Sequence, residues 1–79
     1  MQAFKTMTVD VHGMTTAQAK QALERLLSSL PKEYSEVLVL HGYHMGTALQ
    51  QMVRKQLKHP RLARVCLTLN PGETRLVLK

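Results

Sequence analysis

Lys5-Thr6-Met7-Thr8-Val9-Asp10-Val11-His12-Gly13 sets Met7, Val9 and Val11 on one side and Thr6, Thr8 and Asp10 on the other. Alternation of period two marks a strand with one face buried, so residues 5–11 read as the first strand. Beyond His12-Gly13-Met14, Thr15-Thr16-Ala17-Gln18 fits a capping box, in which the Thr15 hydroxyl and the Gln18 side chain each satisfy a free backbone N–H. A helix is expected to start there. Ala19, Ala22, Leu23, Leu26, Leu27 and Leu30 then recur at three and four, giving one apolar stripe. It ends before Pro31, because proline disfavours helical backbone in the residue preceding it.

Val37-Leu38-Val39-Leu40 is apolar throughout and too short for a helix. It reads as a strand covered on both sides or lying in the middle of a sheet. A second helix is expected from about Thr47, with Leu49, Met52, Val53 and Leu57 inward and Pro60 closing it. A strand over residues 65–69, the turn Asn70-Pro71-Gly72-Glu73 and a strand over residues 74–78 form a hairpin signal. In the first of these strands Cys66 alternates with Val65 and Leu67, both read as inward. The order β-α-β-α-β-β predicts an α/β two-layer sandwich, a four-stranded mixed sheet with two helices on one face. Thr6, Thr8, Asp10, Thr68 and Arg75 are then expected on the open face.

Seventy-nine residues hold one core, so a single domain is expected over 1–79 with its core at about 6–78. The lone Cys66 can form no internal disulfide, and there are no Cys pairs at zinc-ligand spacing. With no long apolar run and no signal-peptide pattern, the expected place is the cytoplasm, off the membrane. Charge is uneven. Residues 1–40 balance to zero, whereas residues 41–79 set seven Lys and Arg against Glu73 alone. Such clustering suits a polyanion partner, although it also serves solubility. Arg54, Lys55, Lys58, Arg61 and Arg64 are the candidate nucleic-acid contacts. Nothing in the pattern chooses between DNA and RNA, and a monomer is expected.

A faint repeat carries the chemistry. Val9-Asp10-Val11-His12-Gly13 and Leu38-Val39-Leu40-His41-Gly42 each put a histidine at a strand's carboxyl end, just before a helix. Ligands in open α/β sheets bind outside those ends, where helix N-termini add unpaired N–H groups. Imidazoles suit acid and base work on a phosphodiester, which makes His12 and His41, with Asp10 beside them, the candidate catalytic set. Gly13, Gly42 and Gly46 would let backbone turn or approach a phosphate, and His44 adds a further imidazole in the second loop. The plainer alternative is that each His-Gly is a loop histidine satisfied by a backbone carbonyl. His59, before Pro60, reads as a helix C-terminal residue. Asp10 with His12 or His41 offers too few ligands to specify a metal, so Mg2+ and Mn2+ are cofactors to test.

These residues resemble a known family. Val9-Asp10-Val11-His12-Gly13-Met14-Thr15 is similar to the opening Leu-Asp-Leu-His-Gly-Leu-Thr motif of the Smr (small MutS-related) domain. Val39-Leu40-His41-Gly42 is similar to its second motif, His-Gly-x-Gly-x-Gly. The resemblance runs from about Thr6 to Leu78. It implies a sandwich like the C-terminal domain of bacterial translation initiation factor three, binding to DNA or RNA and, in several members, endonuclease (nicking hydrolase) activity. By position it assigns Asp10 and His12 to the first motif and His41, Gly42 and Gly46 to the second. His44 stands where the motif's middle glycine would fall, a departure that bears on catalysis more than on binding. A nonenzymatic module binding RNA, DNA or a ribonucleoprotein is the alternative the residues leave open.

Overall fold

The computed structural model describes residues 5–42 and 47–79, so His44 and Gly46 of the second loop lie outside the described residues. In chain order the elements are β1 (Lys5–Asp10), α1 (Thr16–Ser29), β2 (Tyr34–Leu40), α2 (Ala48–Gln51, continuing as a π-helical segment over Met52–Gln56), β3 (Leu62–Leu67) and β4 (Glu73–Leu78). The β-α-β-α-β-β order and the four-stranded mixed sheet agree with the sequence reading.

The sheet order is β1-β2-β4-β3. β1 pairs parallel with β2, and β4 lies antiparallel between β2 and β3. The second β-α-β connection therefore leaves a gap that β4 fills, and β2 and β3 run the same way without touching. Both readings of β2 are thereby resolved: it lies inside the sheet, but only one of its faces is covered. Val37 and Val39 are fully buried, whereas Leu38 and Leu40 are half-buried.

The capping box forms as expected, Gln18 N–H donating to Thr15 Oγ1 at 3.1 Å and Thr15 N–H to Gln18 Oε1 at 3.1 Å. This satisfies donors that a helix start leaves orphaned. Ala19, Leu23 and Leu27 from α1 and Leu30 just past its end meet Met52 and Val53 from the second helix and Leu57 just past its end, over Val37, Val39, Leu76 and Leu78 of the sheet. In the second helix the ladder widens, Leu57 N–H reaching the Met52 carbonyl five residues back at 2.9 Å. That turn keeps Met52, Val53 and Leu57 inward together.

Two expectations at the hairpin are corrected. β3 covers Leu62–Leu67 rather than residues 65–69, because the chain after Leu67 bonds to itself. Thr68 Oγ1 accepts from Asn70 N–H at 3.2 Å and Asn70 Oδ1 accepts from Gly72 N–H at 2.8 Å. Side chains of this type compete with the ladder for backbone groups. Leu67, read as inward, is 68% exposed although its register partner Thr74 is buried, since it ends an edge strand. On the open face Thr6, Thr8, Asp10 and Arg75 are exposed as expected, and Thr68 is half-buried in the turn.

Candidate functional site

β1 ends at Asp10, and Val11 N–H still bonds the Leu40 carbonyl at 2.9 Å, so pairing continues past the strand ends. Since Asp10 stands opposite Leu40, Val11 falls beside His41 and His12 beside Gly42. A Cβ placed on Gly42 would lie 3.7 Å from His12 Cβ, which confirms that alignment. The two histidines are thus one residue out of step. One residue in an extended chain reverses the side of the sheet, so they face opposite ways.

His12 looks outward, its side chain 72% exposed. Its Nδ1 lies 2.5 Å from Asp10 Oδ1, and its backbone N–H donates to the same oxygen at 3.0 Å. A carboxylate only accepts, so Nδ1 carries a proton, and in the neutral ring Nε2 keeps its lone pair, with no partner among the described residues. The ring bond first, and the backbone bond second, hold the Asp10 carboxyl below the usual aspartate range. An ionised acid that orients an imidazole and leaves its far nitrogen free is an arrangement suited to proton transfer.

His41 looks inward and is 3% exposed. Its Nδ1 faces the Gly42 carbonyl at 2.9 Å and its Nε2 faces Thr74 Oγ1 at 2.8 Å. The plainer reading, a strand-end histidine satisfied by a backbone carbonyl, describes this ring. His41 and Gly42 also give their backbone N–H groups to the Gly72 carbonyl at 2.9 Å each, tying the second turn to β4. Gly13 (φ 83°) and Gly42 (φ 72°) occupy the left-handed region that glycine enters without strain.

The cations do not gather at this edge. Arg61 donates to the Leu27 carbonyl at 2.9 Å and to the Leu30 carbonyl, covering acceptors that the end of α1 leaves orphaned. Arg54 is bound to Thr74 and to the Glu73 carbonyl. Lys55, Lys58 and Arg64 line, with Arg54 and His59, an open hollow of about 250 Å³ beside β3. β3 runs parallel to β1 three strand spacings away, roughly 14 Å across the sheet. The hollow lies toward the start of β3, so it occupies the corner opposite His12. His59, expected at the C-terminus of the second helix, turns instead to α1: its Nε2 is 3.0 Å from the Ser28 Oγ hydroxyl, while its Nδ1 accepts from Arg61 N–H at 3.1 Å. Thr74 and the π-helical turn went unnoticed in the sequence. A polar residue opening an alternating strand was the one available signal for Thr74. Cys66, placed opposite Arg75 on the open face, is half-buried.

Among the described residues the donor set is thin for a metal centre and does not define a site for Mg2+ or Mn2+. Among the described residues no three His, Cys, Asp or Glu side chains converge, and Asp10 already commits one oxygen to His12.

A small α/β sandwich with a histidine turn at the end of each of two parallel strands defines the class. The Smr domain family model matches residues 9–73, and the chain belongs to that family. Among solved structures, the Smr domain of MutS2 from Thermus thermophilus superposes with a TM-score of 0.80 at 25% identity, over 92% of this chain and 98% of that one. No curated protein matches the chain. Among the described residues no helix is long and apolar enough to cross a membrane.

Proposed function

We propose that this Smr domain binds DNA or RNA and cleaves phosphodiester bonds, with His12 as the proton-transfer group and Asp10 as the acid that orients it. The observation carrying the reading is the Asp10–His12 pair, exposed, with no partner for Nε2 among the described residues. Nε2 takes the proton of the attacking hydroxyl, from water or an RNA 2′-hydroxyl, as that oxygen bonds to phosphorus. The P–O bond to the leaving oxygen breaks with its electron pair, and the imidazolium returns the proton there. His41 supports this edge from behind. Lys55, Lys58 and Arg64 hold the polyanion at the opposite corner, and Gly13 and Gly42 let backbone come close. His44 and Gly46 keep their proposed place as further contacts.

One observation favours the second reading, binding without cleavage: the second imidazole expected at the edge is buried with both nitrogens engaged. End-labelled RNA and supercoiled plasmid incubated with wild type, His12→Ala and His41→Ala, with Mg2+, Mn2+ or chelator, decide between them. Cleavage is expected in wild type and absent in His12→Ala. No cleavage in any lane, with binding that weakens as salt rises, makes the domain a binding module. Salt-independent binding overturns both. In the same samples, Lys58→Glu with Arg64→Glu should weaken binding about tenfold or more at moderate salt and flatten the salt slope.

A further inference from the structure

We propose that Thr74 and Arg54 are positioning residues for the histidine edge, acting through His41 to fix the Gly42 turn against which His12 stands. This rests on the reading of His12 as the proton-transfer group.

Hydrogen-bond directions follow from which groups can only donate or only accept. The Gly42 carbonyl only accepts, so His41 Nδ1 must carry a proton, and at 2.9 Å it donates it there. The Arg54 guanidinium only donates, and its Nε gives to Thr74 Oγ1 at 2.9 Å. Thr74, fully buried, has a single hydroxyl proton left to place, and His41 Nε2 lies 2.8 Å away as an acceptor. The chain therefore runs one way: Arg54 Nε–H to Thr74 Oγ1, Thr74 O–H to His41 Nε2, and His41 Nδ1–H to the Gly42 carbonyl. Every member is satisfied, and among the described residues no buried polar side-chain atom lacks a partner. A network of that kind resists displacement because each broken bond leaves a buried group unpaired.

Its far end is the Gly42 peptide, next to the base of His12. The opposite end is anchored twice, Arg54 Nη2 also reaching the Glu73 carbonyl at 3.3 Å. Arg54 is half-buried, with its Nε and Nη2 committed to this chain. It lies in the π-helical segment directly after the buried pair Met52 and Val53, and its side chain reaches across to β4.

The test uses the whole chain, with histidines labelled in ¹⁵N. Long-range ¹H–¹⁵N correlation should show His41 as the Nδ1–H tautomer in wild type and in Thr74→Ser. In Thr74→Val, nearly equal in volume but without the hydroxyl, the His41 Nε2 resonance should move and Nδ1 proton exchange should quicken. The His12 ring and Gly42 amide resonances should move with it. Cleavage kinetics should lose about tenfold to a hundredfold in kcat with KM within twofold. Thr74→Ser should return kcat to within about threefold, and Arg54→Gln should fall between. An Nε2–H tautomer for His41 in wild type overturns the proposal. So does Thr74→Val that leaves His12 and Gly42 resonances, or kcat, unchanged. If wild type cuts nothing, the catalytic reading fails on that lane alone. The positioning chain is then still judged by whether His12 and Gly42 resonances respond to Thr74→Val and recover in Thr74→Ser.

Discussion

Two His-Gly turns follow two parallel strands in this molecule, and they have opposite fates. His12 is exposed, paired with Asp10 and, among the described residues, unpartnered at Nε2, whereas His41 is buried and engaged at both nitrogens. The glycines do not explain the difference, since both have left-handed φ angles. Two things do. β1 is an edge strand and β2 is flanked by β1 and β4, so one turn has a neighbour on a single side and the other is enclosed. In addition, the turns are out of step by one residue, which sends the side chains to opposite faces. A repeat in sequence is thus a repeat in topology without being a repeat in environment. Among the described residues one of these two imidazoles faces outward, and its twin is bonded to the turn beside it.

The largest expected effect comes from removing each ring in turn. His12→Ala should abolish cleavage, a loss on the order of 10² to 10⁴ for a proton-transfer group, and change stability by less than about 0.5 kcal/mol. His41→Ala should destabilise by about 3 kcal/mol, because it opens a cavity and leaves the proton of the buried Thr74 hydroxyl without its acceptor. For a chain of this size that lowers Tm by roughly 12–24 °C. Thermal unfolding followed by circular dichroism, with cleavage measured well below both melting points, separates the two. Equal loss of Tm in both variants would break the comparison.

A smaller effect tests whether the turns differ only in their histidines. Gly13→Ala and Gly42→Ala each force an L side chain into left-handed backbone, at about 1–2 kcal/mol. Among the described residues, chain neighbours aside, no atom lies within 4 Å of the added methyl at Gly13, and at Gly42 it would make an ordinary 3.7 Å contact with His12 Cβ. The two variants should therefore agree within about 0.5 kcal/mol in denaturant unfolding. A much larger cost at Gly42 would mean that the second turn is packed more tightly than the first.

What could be read beforehand follows the same line. Element order, the apolar stripe of α1 and the capping box were legible because each depends on local spacing. The outward direction of His12 was legible too, as the next step after inward Met7, Val9 and Val11. The inward direction of His41 was not, because Val37-Leu38-Val39-Leu40 is apolar at every position and hides which side is which. The insertion of β4 between β2 and β3 was equally hidden. Without it there was no reason to bring Thr74 to His41, or to give Arg54 its partners on β4. Arg61 read as one more free cation for want of any local sign that α1 ends within its reach. The π-helical turn is invisible for a related reason: Leu49, Met52, Val53 and Leu57 suit a regular helix as well as a widened one.

The smallest effect bears on Asp10 and distinguishes the turns without any activity. Its carboxyl is held below the ordinary aspartate range of about 3.9, chiefly by the His12 ring and secondly by the backbone N–H of residue 12. Followed by ¹³C detection, the Asp10 titration should move most of the way back up in His12→Ala. It should not return fully, because the backbone donor survives the substitution. In His41→Ala it should stay where it is in wild type. A lowered folded-state value contributes stability that is present above the unfolded-state pKa and is lost as pH falls through the folded-state one. Acid unfolding of wild type should accordingly keep a slight extra slope below about pH 4 that His12→Ala reduces, small because both partners are exposed. An Asp10 titration that ignored His12→Ala but followed His41→Ala would mean that the orienting acid serves the buried ring, and the roles of the two turns would be exchanged.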